Sequence, residues 1–271
     1  NPLTVMKQIK QIVASLLFFG AMASPLSVYA EKGIEINHLG INNTLVRVTG
    51  PSRYLLLPIQ EDAEEARVRV MLDGEVHQNL NIRLARNRVD YFVPLDLASF
   101  KGRHVMLNIV TTQNRSSLRE AKENACWKDM KLSDTFDTTN REKYRPAFHH
   151  TPLYGWMNDP NGMFYKDGVW HLYYQWNPYG SKWQNMTWGH STSKDLLKWE
   201  HQPTAIEVDG LGSIFSGSSV VDTANTAGFG KDAVVALYTS CDVSQVQSMA
   251  YSNDGGNTFQ RYPGKHNNTL E

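Results

Sequence analysis

An internal repeat with a period of about 60 residues constrains the fold of this chain more than any other feature. Residues 162–199 and 217–259 carry the same succession of three to four short apolar segments. The matching positions are Ser193 and Ser252, Asp195 and Asp254, and Trp199 and Phe259, which lie 59, 59 and 60 positions apart. A repeat of four short strands is typical of a β-propeller blade, and the alternative is two unrelated meanders that resemble each other by chance. Because a propeller closes with about four or more blades, roughly two blades in residues 149–271 predict part of a longer protein.

Short strand-like segments also fill residues 31–132, without the repeat. Apolar and polar residues alternate most clearly in residues 67–72 and 80–84, which is typical of half-buried strands. The predicted strands are residues 45–48, 54–58, 67–72, 80–84, 89–93 and 105–110, with a helix-prone stretch at 117–125. Their spacing predicts an all-β chain in which a β-sandwich module, 31–132, is joined by a linker, 133–148, to the partial propeller, 149–271.

Residues 1–30 have the pattern of a secretory signal peptide. Lys7 and Lys10 precede the apolar run 12–23, and the segment 28–30, Val-Tyr-Ala, offers small or β-branched residues before a cut after Ala30. The alternative, a membrane anchor, is disfavoured because about 20 apolar residues are needed to cross a bilayer. The sequence therefore predicts an exported protein that is periplasmic, cell-surface or secreted, with no membrane span.

The balance of charges and the cysteines narrow the function classes. Lys plus Arg and Asp plus Glu both number 27, so no basic excess indicates a nucleic-acid partner. In an exported protein Cys126 and Cys241 could pair, or both could be buried thiols, and their separation does not decide between these. His149 and His150 have no further ligands at zinc spacing, so neither a metal nor a cofactor is predicted.

The segment 156–162, Trp-Met-Asn-Asp-Pro-Asn-Gly, carries the most chemistry. Taken alone, Asn-Asp-Pro-Asn-Gly favours a turn, because Pro fixes φ while Asn and Gly tolerate positive φ. A turn at the start of the innermost strand of a blade would lie beside the central channel. Amide, aromatic and carboxylate groups in one polar channel suit a sugar ligand, so we predict a carbohydrate site there.

The chain resembles glycoside hydrolase family 32, which contains β-fructofuranosidases, invertases, inulinases and levanases. The resemblance covers residues 148–260. Its segments are 148–149, Pro152, 156–162, 173–178, 188–190, 193–196, Trp199, 215–218 and 225–229. Several motifs in the same order make the resemblance specific. The preceding module is similar, more weakly, to an N-terminal β-sandwich found in some bacterial levanases.

The resemblance implies a five-bladed propeller and a retaining hydrolase that cleaves β-fructofuranosidic bonds in fructans (levan or inulin) and sucrose. Asp159 matches the nucleophile of the family. Asn158 and Gln175 match residues that hydrogen-bond the fructosyl ring. Trp183 matches an aromatic that lines the site, and Phe215 and Ser216 match a pair around the same subsite; propeller core is the alternative for Trp183 and Phe215.

Two family motifs are absent from the 271 residues: an Arg-Asp-Pro and the glutamate that serves as acid/base. Glu200 and Glu207 do not match that glutamate and are interpreted as ordinary strand and loop residues. We therefore expect this stretch alone to be inactive and the complete protein to be a hydrolase. The alternatives are a non-catalytic fructan-binding protein and a fructosyltransferase on the same scaffold. The oligomeric state is not predicted.

Overall fold

The computed structural model describes residues 29–31, 33–112, 116–139 and 143–262. The signal peptide predicted at 1–30 therefore lies outside the described residues except at its last two positions. Strands make up most of the ordered structure, which confirms the all-β class. The two α-helices of the described part are five residues each, and no helix there is long and apolar enough to cross a membrane.

The N-terminal region forms two antiparallel sheets. A six-stranded sheet has the order β1-β2-β3-β8-β5-β6, and a three-stranded sheet has the order β7-β4-β9. The strands are β1 (Tyr29–Glu31), β2 (Ile34–His38), β3 (Asn43–Val48), β4 (Tyr54–Ile59), β5 (Ala66–Leu72), β6 (Glu75–Ile82), β7 (Tyr91–Asp96), β8 (Val105–Val110) and β9 (Lys131–Ser133). The helices α1 (Leu118–Lys122) and α2 (Ala125–Asp129) connect β8 to β9.

Each of the six segments predicted as strands in this region overlaps a strand, although 83–84 lie beyond the end of β6 and 89–90 precede β7. In β5, Val68, Val70 and Leu72 are buried whereas Arg67 is exposed, as the alternation requires. Both sheets contribute to one apolar core, which we call the N-terminal core. Six of its side chains have almost no exposed surface: Leu55, Leu57, Val68, Val70, Leu107 and Ile109. The strands β1, β2 and β9 were not predicted.

Residues 156–261 contain two four-stranded antiparallel sheets, each with its strands in chain order. We call them the first blade and the second blade. The first blade contains β10 (Trp156–Lys166), β11 (Val169–Asn177), β12 (Thr187–Ser193) and β13 (Glu200–Ile206), and the second contains β14 (Ser213–Asp222), β15 (Ala233–Cys241), β16 (Gln245–Ser252) and β17 (Gln260–Arg261). The predicted four-stranded repeat is thus confirmed, with propeller-like sheets.

The same side-chain turn follows the third strand of each blade. Asp195 accepts hydrogen bonds from the backbone N–H groups of Leu197 and Lys198 at 2.9 and 2.8 Å. Asp254 accepts from those of Asn257 and Thr258 at 3.1 and 3.0 Å. The repeat seen in the sequence is therefore a repeat of hydrogen-bonded structure.

The N-terminal sheets and the blades share part of one core. Tyr179 and Val208, from loops of the first blade, are buried within the N-terminal core. Ser133, the first residue of the predicted linker, is the last residue of β9 and pairs with Tyr54. Cys126 is buried in the N-terminal core and Cys241 ends β15, and both are thiols outside any disulfide.

Candidate active site

A β-bulge in β10 presents the predicted catalytic residue. Met157 pairs with Trp176 and Pro160 with Tyr174, so Asn158 and Asp159 together face Gln175. The prediction of a turn for this segment is wrong, because it pairs with β11 along its length. Pro160 is tolerated because β10 is the edge strand of its sheet and because Pro160 lies at the bulge. Bulges bend a strand and re-aim its side chains, which here brings Asp159 to the surface.

The first strand of the second blade contains an equivalent bulge. Ile214 pairs with Ser240 and Gly217 with Tyr238, so Phe215 and Ser216 together face one residue of β15. Each bulge residue of β14 stands 57 positions after its counterpart in β10. Since β10 and β14 are neighbours, the two bulges lie side by side. Ser216 Oγ donates to Asp159 Oδ2 at 2.8 Å across the gap between the blades.

The carboxylate of Asp159 is held from two sides. Ser216 supplies one donor, and Asn158 Nδ2 lies 3.3 Å from Asp159 Oδ1. Asn158 Oδ1 is buried and has no hydrogen-bond partner among the described residues. A buried acceptor without a partner is costly. It can be satisfied by a hydroxyl donor of a ligand that reaches Asp159.

Gln175, on β11 opposite the bulge, is buried, with 2% of its surface exposed. Its Nε2 donates to the carbonyl of Ile214 at 2.9 Å, which links the two blades. In the amide orientation that satisfies its neighbours, Asn161 accepts from Gln175 Nε2 at 2.9 Å. Gln175 therefore supports the bulges of both blades from beneath.

Two aromatic rings form a wall beside the carboxylate. Trp183 is 51% exposed, although a core position was the alternative for this residue. Its ring centroid lies 6.0 Å from that of Phe215, at an interplanar angle of 61°. Phe215 and Ser216 are the two residues of the β14 bulge, so the aromatic pair adjoins the Asp159–Ser216 pair. The six residues singled out from the sequence are thus linked around the two bulges.

The blade region matches a known family model. Residues 149–270 match the N-terminal domain of glycosyl hydrolases family 32. The preceding residues, 40–148, match a domain of unknown function, DUF4980.

The curated relatives and solved structures that match this part of the chain include a levanase, an exo-inulinase and a fructofuranosidase. The levanase of Bacillus subtilis is 56% identical over 127 residues, which are 45% of this chain and 19% of the levanase. An extracellular exo-inulinase of Aspergillus niger is 45% identical over 143 residues, 45% of this chain and 27% of the inulinase. The fructofuranosidase of Schwanniomyces occidentalis complexed with fructose is 45% identical, with a TM-score of 0.43 over 45% of this chain and 26% of that structure. The chain thus spans only about a fifth to a quarter of the length of these relatives.

Sequence reasoning assigned no role to the residues that lock the two bulges together. Asn161 is 3% exposed and lies next to Gln175. Ser219 Oγ donates to the carbonyl of Gly162, and Trp188 Nε1 donates to that of Phe215 at 3.0 Å. The signal that could have found them is the spacing of 57 positions, which relates Gly162 to Ser219 as it relates Asp159 to Ser216.

The two glutamates of the blade region lie elsewhere. Glu200 is the exposed first residue of β13. Glu207 follows β13 and is partly buried, and its carboxylate accepts a hydrogen bond from Gln78 Nε2 at 3.1 Å. Burial and then Asp96 raise the pKa of Glu207, and Arg261 opposes that shift. The sequence interpretation missed the role of this partly buried carboxyl, which accepts from Gln78 at the contact between the N-terminal sheets and the first blade.

Histidines of the first blade form a buried stack rather than a metal site. His171 Nδ1 lies 3.1 Å from His190 Nε2, so one ring donates to the other. Burial, together with the neighbouring His171, lowers the pKa of His190 to about 3. Across the described residues no group of three or more His, Cys, Asp or Glu side chains could hold a metal ion.

Proposed function

We propose that the protein containing this chain is an exported retaining glycoside hydrolase that cleaves β-fructofuranosidic bonds in levan or inulin, and in sucrose. The observation that carries the proposal is the pairing of two bulges, which aims Asp159 into an open site where Ser216 orients it at 2.8 Å. The family match and the names of the relatives support the same chemistry.

In this proposal Asp159 is the nucleophile. One carboxylate oxygen attacks the anomeric carbon of the fructosyl unit while the bond to the leaving oxygen breaks. A second carboxylic acid, which we assign to no residue of this chain, protonates that oxygen. It then activates the water that releases fructose from Asp159. A short carboxylate held by two donors is suited to the first step.

The other site residues would bind the sugar. The partnerless Oδ1 of Asn158 is an acceptor for a ring hydroxyl, and Gln175 would supply a further hydrogen bond from below. Ser216 would hold Asp159, while Trp183 and Phe215 would form the wall of the subsite. These assignments require no metal and no cofactor.

The surrounding architecture follows from the same proposal. The blades would belong to a five-bladed propeller with its domain at residues 149–271. The N-terminal sheets would be a β-sandwich module at 31–132, joined through residues 133–148. A signal peptide at 1–30 would direct export, consistent with relatives that are named extracellular.

The test is product analysis of the full-length protein with levan, inulin and sucrose. Wild type should release fructose, and Asp159→Asn should lower kcat by about three orders of magnitude or more because the attacking oxygen is lost. Oligosaccharide products in place of fructose would identify a fructosyltransferase. Binding without any product, or full activity of the variant, would contradict the proposal. Asp167→Asn, in an exposed turn, is the matched control.

A further inference from the structure

The loop between β11 and β12, residues 178–186, is attached to the N-terminal sheets along most of its length. Tyr179 is buried in the N-terminal core. Four more loop residues reach the N-terminal sheets through polar contacts: Ser181 and Lys182 to Glu61, Gln184 to Glu65, and Asn185 to Asn81. The partners are about 100 or more positions apart in the chain.

The end of the loop pairs with an edge strand. The backbone N–H of Asn81, in β6, donates to Asn185 Oδ1 at 2.8 Å, and Asn185 Nδ2 returns a bond to the Asn81 carbonyl at 2.8 Å. The side-chain amide thereby satisfies backbone groups that an edge strand leaves unpaired. Asn185 has a φ of 48°, a left-handed conformation that asparagine adopts more readily than most residues.

The start of the loop is held by the carboxylate of Glu61. Ser181 Oγ donates to Glu61 Oε1 at 2.6 Å, and Tyr91 OH donates to Glu61 Oε2 at 2.6 Å. Lys182 Nζ lies 3.5 Å from Oε1. Partial burial acts to raise the pKa of Glu61, but the bonds from Ser181 and Tyr91 outweigh it and lower that pKa. Glu61 is thus an ionised anchor for the loop.

Trp183 stands between these two attachments and faces the other way. The residues on both sides of it contact the N-terminal sheets, whereas its ring contacts Phe215 of the second blade. A half-exposed ring on a free loop would sample several positions. The attachments on either side restrict the backbone that carries it.

We infer that the N-terminal sheets position Trp183 in the sugar subsite, with Glu61 and Asn185 as positioning residues. The inference rests on the proposed function, since it assigns the wall of that subsite to a contact between domains. Loosening the loop should weaken sugar binding in the ground state and the transition state alike. It should therefore raise KM for fructan and leave kcat nearly unchanged.

The first experiment observes Trp183 directly and does not depend on activity. The full-length protein is labelled with 5-fluorotryptophan, and the Trp183 resonance is assigned by its loss in Trp183→Phe. Glu61→Ala and Asn185→Ala should shift or broaden that resonance. Glu61→Gln, which keeps hydrogen-bonding groups toward Ser181 and Tyr91, should restore it. Glu35→Ala is the control, because Glu35 pairs with Arg47 at 3.5 Å on the six-stranded sheet, away from the loop.

The second experiment measures kinetics with inulin and levan. Glu61→Ala should raise KM about 5- to 20-fold with kcat changed less than about twofold, and Glu61→Gln should stay within about twofold of wild type. An unmoved Trp183 resonance in both alanine variants would overturn the inference, as would an equal effect of Glu35→Ala. A displaced resonance in a protein that cleaves no fructan would support the positioning of Trp183 and refute the proposed hydrolase.

Discussion

The two blades share a backbone design and differ in the side chains that it carries. Each begins with a strand whose two-residue bulge faces one residue of the next strand, and each ends its third strand in a Ser-x-Asp turn. The bulge of the first blade holds an amide and a carboxylate, and that of the second holds an aromatic ring and a hydroxyl. The site therefore arises from one repeated backbone feature used twice with different chemistry.

The corresponding faces of the blades differ in burial as well. Tyr173 and His190 pair across β11 and β12 and are fully buried. Their counterparts in the second blade, Leu237 and Met249, pair in the same register, but Leu237 is 46% exposed. The second blade covers this face of the first blade, where Tyr173 packs against Phe259 and its OH donates to the carbonyl of Gly256 at 2.6 Å. The order of a blade thus depends on what packs on its face.

The largest predicted difference between the two blades is the loss of stability in acid. The folded state holds His190 neutral because burial lowers its pKa from 6.5 to about 3, and burial likewise lowers that of His150 to about 4. The unfolded chain binds these protons first, so stability is complete above pH 6.5 and falls as the pH drops from 6.5 towards these folded values. We expect His190 alone to account for a loss on the order of 3 kcal/mol between pH 7 and pH 4.

Urea unfolding of the full-length protein at both pH values measures this loss. His190→Met places the residue of the second blade at the same strand position and should reduce the pH dependence. The second blade contains no histidine in residues 213–262, so hydrogen exchange should report early opening in the first blade. Exposed His149→Met is the control, and an equal reduction by that variant would contradict the assignment.

A second prediction tests the bulge that only the first blade contains. Asn161 pairs with Tyr173 and Phe164 with His171, which leaves Gly162 and Met163 opposite one residue. Gly162 has a φ of 47°, and a Cβ there would lie 3.0–3.1 Å from Ser219, Trp188 and Tyr173. Gly162→Ala should lower the free energy of unfolding by about 2 kcal/mol through strain and overpacking.

Gly168→Ala is the matched control for that substitution. Gly168 also has a positive φ, 84°, but a Cβ at this position would have no neighbouring atom within 4 Å. Gly168→Ala should therefore lower the free energy of unfolding through backbone strain alone, by about 1 kcal/mol. Equal losses in thermal or urea unfolding would show that the packing between the blades does not require a glycine at position 162.

The sequence was most informative where periodicity acts locally. Alternation located six N-terminal strands, and the repeat located both blades. The bulge at Asn158 and Asp159 was missed because turn propensity is local, whereas pairing with β11 is a tertiary interaction that overrides it. The contacts of Glu61 with Ser181 and of Gln78 with Glu207 span 120 and 129 positions. Because the partners are so far apart, no local sequence pattern indicates these contacts. The site residues came from family motifs rather than from periodicity.

A third prediction concerns the contribution of the second blade to the site. Ser216→Ala removes the hydroxyl that donates to Asp159 and should lower kcat/KM for fructan about tenfold, or about 1.4 kcal/mol. Ser218→Ala, two residues further along β14 and also exposed, should leave activity unchanged. If both variants kept full activity, Asp159 would be oriented by the first blade alone.

The smallest effect should come from the two Ser-x-Asp turns, and it tests whether equivalent turns are equally important. Asp254 accepts from Ser252 Oγ and Thr258 Oγ1, both at 2.6 Å, in addition to two backbone N–H groups, and its turn contains the Gly256 carbonyl that binds Tyr173. Asp195 accepts two backbone bonds and a longer bond from Ser193 Oγ, at 3.2 Å, in a turn in which Leu197 is 84% exposed. Asp254→Ala should therefore cost about 1 kcal/mol of unfolding free energy, and Asp195→Ala should cost less. In double-mutant cycles with Tyr173→Phe, Asp254→Ala should show coupling, because the turn orients the acceptor of the tyrosine hydroxyl, and Asp195→Ala should be additive. Additive behaviour in both cycles would mean that the turn of the second blade closes its own hairpin and does not secure the first blade.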